Sequence, residues 1–175
     1  MNKNILILGG TGFIGNNLIK KLSNFRYNIT SLSSSKKKRV KLINNVKYIR
    51  TDLTDRKKIK KYITDEYQII INLSGNIDHK NYNQALNIHY KGIKNLLDLI
   101  NIKKLNLFIQ AGSSLEYGNQ KSPQTEKKNC EPISLYGKAK YLGSNLLLKR
   151  LKKVIVLRLY QVYGPYQKYD RLIPF

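Results

Sequence analysis

The sequence is poor in cysteine, in metal-ligand clusters and in long apolar segments. Its one cysteine, Cys130, excludes an internal disulfide and indicates a reducing compartment. No apolar run reaches the roughly 20 residues that a membrane span needs. Neither a charged-then-apolar leader nor metal-ligand spacing is present. We therefore predict a cytoplasmic protein that binds neither membrane nor metal.

Acidic side chains are also scarce, since 10 Asp and Glu oppose 33 Lys and Arg and leave a net charge of +23. Such an excess indicates an acidic partner: a nucleic acid, an anionic lipid or a phosphorylated metabolite. The lysines are scattered along the chain apart from the run Lys36–Arg39. Dedicated nucleic-acid binders concentrate their charge, so we favour compositional drift towards Lys, Asn, Ile and Tyr, and we do not expect a nucleic-acid partner.

Apolar residues make up 41% of the 175 residues, which is enough for the core of one domain. Buried-type strands alternate with amphipathic segments, which predicts an α/β fold with a doubly wound parallel sheet in three α/β/α layers. The predicted strands are 4–8, 27–32, 46–49, 68–73, 105–111 and 154–159. The predicted helices are 13–22, 56–63, 83–100 and 134–151.

A glycine-rich loop directly follows the first strand and opens the first helix. Its glycines are Gly9, Gly12 and Gly15, with Thr11, Phe13 and Ile14 between them. Glycines at this spacing permit a tight turn, close approach of a pyrophosphate to the backbone, and close packing of helix on strand. The free N–H groups of the helix beyond favour phosphate. The loop therefore predicts a dinucleotide site.

A second constellation follows the fifth strand. Tyr136 and Lys140 are four residues apart on a predicted helix, so they share one face. That spacing alone is common on protein surfaces. Two further features favour a functional pair: Ser113 ends the preceding strand, and the glycine loop lies at the same edge of the predicted sheet.

Together these motifs resemble the extended short-chain dehydrogenase/reductase family, within the NAD-dependent epimerase/dehydratase group, over nearly the whole chain. The resemblance implies a Rossmann fold and a Ser113, Tyr136 and Lys140 triad. Tyr136 would move a proton to or from a sugar hydroxyl while hydride passes between the same carbon and the nicotinamide. We expect Lys140 and an oxidised nicotinamide to lower the pKa of Tyr136. Lys140 would also hold the nicotinamide ribose.

The same resemblance places further cofactor contacts at Asp52 and Leu53 after the third strand and at Leu73, Ser74 and Gly75 after the fourth. Substrate contacts fall on Ser114 and on Gln161, which replaces the family's asparagine. His89 departs from the family pattern, which has asparagine three residues before the glycine that is Gly92 here.

The end of the second strand selects between the two nicotinamide cofactors, because an acid there binds the ribose 2′-hydroxyl and repels a 2′-phosphate. That position is Ser33, and Lys36 follows shortly. Hydroxyls and cations suit a phosphate. We therefore predict NADP in preference to NAD, against the alternative of a solvated lysine run.

The family implies a nucleotide-sugar substrate, of the kind used for cell-surface polysaccharides. It also implies a homodimer through a four-helix bundle formed by the helices at 83–100 and 134–151. At the two positions where sugar dehydratases of this family carry their acidic chemistry, this sequence has Ser114 and Leu115. The nearby Glu116 should face the other side of the sheet by strand alternation, so the acid for water elimination is lacking. Epimerase and 4-keto reductase therefore both stay open. The alternative is an inactive nucleotide-sensing or RNA-binding domain.

The predicted domain boundary follows the last strand. Residues 1–159 form the cofactor-binding domain, and residues 160–175, rich in aromatic and turn residues, begin a substrate-binding region. No covering lobe follows, so we expect that lobe to be missing and the chain to be truncated.

Overall fold

The computed structural model describes residues 2–34, 42–64, 66–75, 81–165 and 167. Its single sheet has the order β3-β2-β1-β4-β5-β6, with every neighbouring pair parallel. This confirms the doubly wound sheet and its Rossmann topology. The strands are β1 Lys3–Leu8, β2 Tyr27–Ser33, β3 Val46–Arg50, β4 Ile69–Asn72, β5 Leu107–Ser113 and β6 Val154–Leu159.

The strands separate two apolar layers, because successive side chains point to opposite faces. On one face Leu6 and Leu8 join a cluster with residues of the helices that follow β3, β4 and β5. On the other face Ile5 and Ile7 pack with Ile19 of the first helix. The central strands are buried on both sides, so they are continuous apolar runs rather than alternating ones.

Five α-helices flank the sheet in the described part of the chain, and the predicted helix at 83–100 is not continuous. A π-helical turn, Asn87–Lys91, separates its two α-helical parts. The crossing with the later helix is tight there, since a Cβ at Gly143 would lie 2.0 Å from the His89 carbonyl oxygen. The helices are α1 Phe13–Leu22, α2 Arg56–Lys60, α3 Tyr82–Leu86, α4 Gly92–Leu97 and α5 Leu135–Arg150.

Short 3₁₀ turns, Ile102–Lys104 and Ser114–Glu116, precede and follow β5. Among the described residues, no helix has the length and apolar character to span a membrane.

Candidate functional site

The glycine loop lies at the carboxyl edge of the sheet, pressed against the end of β4. Gly9 has φ +77°, and a Cβ there would lie 2.8 Å from the Leu73 carbonyl and the Ser74 nitrogen. The Gly9 N–H donates to the Leu32 carbonyl at 2.8 Å. Both the positive φ and the contact with β4 require glycine. The loop and the segment after β4 therefore form one surface.

The N-terminus of α1 differs from those of α2, α3 and α5. Side chains of Asp55, Asn81 and Ser134 cap those three helices, whereas no side chain caps α1 at Gly12. A Cβ at Gly12 would have one neighbour, the Gly9 carbonyl oxygen at 3.1 Å, and would otherwise enter open space. The first N–H groups of a helix need an acceptor. This cradle therefore fits a phosphate group.

The remaining loop residues surround that cradle. Thr11 donates its N–H to the Ser33 hydroxyl at 3.2 Å, which joins the loop to the end of β2. Gly15 is buried, and Phe13 and Ile14 are half-buried at the start of α1. The structure thus brings Ser33 to the loop. Lys36 lies outside the described residues.

The two residues predicted as cofactor contacts after β3 differ in their exposure. Leu53 is buried in the larger apolar cluster. Asp52 is exposed, and its carboxylate accepts bonds from the Thr54 backbone and hydroxyl at 2.8 and 2.9 Å. Arg50, which was not predicted as a site residue, lies beside the end of β2, and its Nε donates to the Ser34 carbonyl at 3.4 Å. Pairing of β3 with β2 in register is what brings it there.

A buried hydrogen-bond chain joins the segment after β4 to α5. Ser74 donates from its backbone to the Asn72 amide oxygen at 3.0 Å, and Asn72 donates to Gln110 at 2.8 Å. Gln110 donates to the Ala111 carbonyl at 3.1 Å, and that oxygen also accepts from Lys140 Nζ at 2.8 Å. Asn72 and Gln110 were not predicted as site residues, and only the pairing of β4 with β5 brings them together.

Tyr136 and Lys140 are both buried on the inner face of α5, with Lys140 Nζ 5.9 Å from the centre of the Tyr136 ring. The Ser134 hydroxyl accepts the Gly137 N–H at 3.0 Å and so fixes where α5 begins. The other buried positions of this helix carry small or apolar residues: Gly137, Ala139, Gly143, Ser144 and Leu147.

Burial shifts both pKa values away from those of exposed groups. It raises the pKa of Tyr136 to about 12, assisted by the Glu116 carboxylate. It lowers the pKa of Lys140 to about 8, against the opposing effect of Glu116. In the protein alone the pKa of Tyr136 therefore lies above its ordinary value, and the lowering expected from Lys140 together with an oxidised nicotinamide stays a prediction. Desolvation disfavours the anion of the buried phenol, and it is the largest cause of this shift.

His89 is buried and stacks edge-on against the Tyr136 ring, with the two ring centres 5.3 Å apart. Its imidazole also lies over Gly75, where a Cβ would meet the ring at 2.8 Å. The π-helical turn carries it there. His89, the residue that departs from the family pattern, thus lies between the segment after β4 and α5.

Ser113 ends β5 and caps the 3₁₀ turn, since its hydroxyl accepts the Leu115 N–H at 3.2 Å. Ser114 is half-buried beside it. Glu116 does not face the far side of the sheet, as strand alternation predicted, because the strand has already ended and the turn directs its carboxylate inward. It is fully buried and accepts the Ser113 N–H at 2.8 Å.

Gln161 follows β6 at the same edge and is exposed. Nearby, Tyr160 donates to Gln124, and Asn17 of α1 donates to the Pro165 carbonyl at 2.9 Å. The chain after β6 thus returns over the N-terminal part of α1. In the described residues, no three His, Cys, Asp or Glu side chains are grouped as metal ligands.

The fold and this edge define a Rossmann domain of the doubly wound α/β class. A family model described as "NAD dependent epimerase/dehydratase family" matches residues 5–175. The chain belongs to this family, which confirms the resemblance seen in the sequence.

Two curated relatives are each 27% identical to this chain. A protein named putative UDP-glucose 4-epimerase, from Methanocaldococcus jannaschii, matches 93% of this chain and 57% of its own length. An ADP-L-glycero-D-manno-heptose-6-epimerase from Brachyspira hyodysenteriae matches 94% and 56%. The chain therefore spans little more than half the length of these relatives.

Solved structures show the same fold. The Bordetella bronchiseptica enzyme WbmG in complex with NAD has a TM-score of 0.85 at 21% identity, covering 94% of this chain and 55% of that one. A UDP-glucose 4-epimerase from Thermotoga maritima with UDP-glucose has a TM-score of 0.84 at 24% identity, covering 96% and 59%.

Proposed function

We propose that this chain is the cofactor-binding part of a nicotinamide-dependent enzyme acting on a nucleotide-activated sugar, as an epimerase or a 4-keto reductase. One observation carries the proposal: a buried tyrosine–lysine pair lies at the same sheet edge as an uncapped, glycine-lined helix N-terminus. Relatives named as nucleotide-sugar epimerases, and related structures titled as NAD or UDP-glucose complexes, support it.

The glycine cradle and the Lys140 side chain fit a dinucleotide. Gly12 and the first turn of α1 would hold the pyrophosphate, with Leu73, Ser74 and Gly75 beside the nicotinamide half. Lys140 would leave the Ala111 carbonyl for the nicotinamide ribose, and Gln110 would still donate to that carbonyl. When bound, the nicotinamide supplies hydride chemistry at a sugar carbon.

The triad residues would carry out the proton transfer of that reaction. Tyr136 would take the proton of the sugar hydroxyl or return it to the keto oxygen, and Ser113 would hydrogen-bond the same oxygen. Because the pKa of Tyr136 is about 12 in the protein alone, the charge brought by Lys140 and an oxidised nicotinamide has to lower it before it serves as a base. Ser114 and Gln161 would contact the sugar nucleotide.

Residues 1–159 form the cofactor domain in this proposal, and residues 160–175 begin the region that binds substrate. The isolated chain should therefore bind the cofactor weakly and turn over no nucleotide sugar, because the substrate pocket is incomplete. Calorimetry with NADPH and a turnover assay with UDP-glucose test this. Measurable turnover by residues 1–175 contradicts the domain assignment, whereas salt-dependent RNA affinity without dinucleotide binding favours the RNA-binding alternative.

Two variants separate the roles of the pair. Lys140→Met should weaken NADPH binding, since it removes the ribose contact, whereas Tyr136→Phe should leave binding near the wild-type value. In the whole protein, Tyr136→Phe should abolish turnover while cofactor affinity is kept. Equal NADPH affinity in wild type and Lys140→Met contradicts the assignment of Lys140.

We propose NADP in preference to NAD. Arg50 supports this proposal in addition to the sequence positions of Ser33 and Lys36. The Arg50 guanidinium lies at the end of β2, where a ribose 2′-phosphate would be bound. NADPH should bind more tightly than NADH, and Arg50→Ala should reduce the difference by about tenfold. Lys60→Ala, an exposed cation on α2, is the control. Equal affinities in the wild type contradict the preference.

We also propose a homodimer through the four-helix bundle predicted for this family. Leu135 and Leu142, seven residues apart on one side of α5, are exposed at 45% and 38% of their surface. Burying them in a partner's helices would give the bundle an apolar seam. Leu142→Lys should shift the sedimentation coefficient towards that of the monomer, with the outward Lys138→Glu as control. A wild-type chain that is monomeric at high concentration contradicts the proposal.

A further inference from the structure

A buried carboxylate lies beneath the proposed triad, and the proposed function gives it no role. Glu116 is fully buried in the 3₁₀ turn that follows β5. A buried charge is costly unless it is paired and hydrogen-bonded. Its partners therefore indicate what the carboxylate does.

Each carboxylate oxygen of Glu116 has a defined partner. Oε1 accepts the Ser113 N–H at 2.8 Å, and Oε2 lies 3.5 Å from Arg158 Nε on the neighbouring strand. Gly112 makes the space, since a Cβ there would lie 2.6 Å from Oε1. Arg158 is itself held over the Tyr117 ring at 4.8 Å. Strand, turn and neighbouring strand together form a site built for a carboxylate.

The turn that carries Glu116 packs on the start of α5, where a Cβ at Gly137 would lie 2.5 Å from the Leu115 carbonyl oxygen. The charge of Glu116 therefore acts on the two buried ionisable residues of this helix. It raises the pKa of Tyr136 and opposes the fall that burial causes in the pKa of Lys140. The groups around this cluster are Arg158 from β6, Cys130 and Tyr117 from the segment before α5, and His89 from the π-helical turn, which faces Tyr136.

We propose that Glu116 is a positioning residue that fixes Ser113 through its backbone N–H and holds a negative charge beneath Lys140 and Tyr136. The catalytic part of this role rests on the proposed function. The contacts of Glu116 and its effect on Lys140 do not depend on that proposal. The carboxylate keeps Lys140 protonated at neutral pH despite its burial, so that an ammonium is available for the ribose and for the phenol. Ser113 is held at the end of β5, where its hydroxyl caps the turn.

The experiment is a titration of the Lys140 amine by NMR in the chain labelled at lysine Nζ and Cε, with the signal assigned by Lys140→Arg. Glu116→Gln keeps an oxygen for the Ser113 N–H and removes the charge. It should lower the pKa of Lys140 by about one unit. Asp98→Asn, which neutralises the exposed partner of Arg150, is the matched control and should leave Lys140 unchanged.

A second variant should shift the pKa of Lys140 in the opposite direction, which distinguishes an effect of charge from a loss of structure. Arg158→Met removes the cation that shields Glu116, so the pKa of Lys140 should rise, opposite to Glu116→Gln. General loosening of the site would move both variants in the same direction. An unchanged Lys140 titration in Glu116→Gln, or shifts of one sign in both variants, overturns the proposal.

Hydrogen exchange tests the positioning of Ser113 separately. The Ser113 amide should stay protected in Glu116→Gln and exchange faster in Glu116→Val, which offers no acceptor. Equal protection in both variants overturns this half of the proposal. None of these measurements needs cofactor or turnover, so failure of the proposed function, seen as absence of dinucleotide binding, is distinguishable from failure of this inference.

Discussion

The glycine loop and the tyrosine–lysine region share one sheet edge but are built on opposite principles. The loop is formed by missing side chains at Gly9, Gly12 and Gly15, and a Cβ at Gly9 or Gly15 would collide with neighbouring backbone. The other region is formed by ionisable side chains, since Glu116, Tyr136 and Lys140 are all buried and Glu116 is paired with Arg158.

This difference has a physical consequence. A surface made of backbone is sensitive to volume and insensitive to pH, because peptide groups do not titrate. A surface made of buried ionisable groups is sensitive to charge and pH, because each group's pKa depends on its neighbours. The two regions should therefore respond to different perturbations.

Added volume in the loop should have the largest effect. A Cβ at Gly15 would lie 2.4 Å from the Gly9 carbonyl oxygen and 2.6 Å from the Gly10 Cα. Gly15→Val should lower the free energy of unfolding by about 3 kcal/mol, since backbone cannot move aside cheaply. Urea unfolding followed by circular dichroism measures this.

Gly12→Ala is the matched control for volume. Its φ of −76° suits alanine, and its Cβ would enter mostly open space. Stability should be close to that of the wild type, while NADPH affinity falls by about tenfold or more, because the methyl group occupies the path of the phosphate. Equal stability losses in both variants would mean that packing alone explains these glycines.

A pH effect should be found in the second region. Lys140 has a pKa of about 8 when folded and an ordinary value of 10.5. Between these values the unfolded chain binds more protons, so stability rises with pH, by up to about 3 kcal/mol. Below pH 8 the Lys140 amine is charged in the folded protein, and the full cost of burying that charge lowers the free energy of unfolding. Lys140→Met should lack this rise, as the difference in urea midpoint from the wild type at pH 7, 9 and 10 would show.

Lys138→Met provides the comparison, because Lys138 is exposed on the same helix. Its unfolding midpoint should follow the wild type across this pH range. If Lys138→Met and Lys140→Met change this pH dependence equally, then the rise in stability with pH comes from the overall charge of the protein and not from the buried lysine.

The smallest effect concerns how the helices of the two regions begin. The Ser134 hydroxyl caps α5, whereas α1 has no side-chain cap. Ser134→Ala should lower the free energy of unfolding by about 1 kcal/mol, since the Gly137 N–H loses its acceptor. Thermal unfolding at neutral pH measures this loss. Unchanged stability would mean that water replaces the cap at no cost.

The sequence allowed the parallel sheet, the glycine loop and the placement of Tyr136 and Lys140 on one helix face to be predicted. These features depend on local spacing: apolar runs, glycines three residues apart, and an i, i+4 pair. The π-helical turn at Asn87–Lys91 was missed, because no local residue preference distinguishes it from a continuous helix. It lies at the close crossing with Gly143, which is far away along the chain.

The pattern of residues by itself therefore determined the fold class, the family and the two motifs, because these are properties of neighbours along the chain. Only the tertiary structure decided that Glu116 turns inward, that Arg50 lies at the end of β2, and that Asn72 and Gln110 link the segment after β4 to Lys140. The same holds for the shifted pKa values of Tyr136 and Lys140. Burial and pairing between strands set these features, and both depend on residues that are distant in sequence and adjacent only after folding.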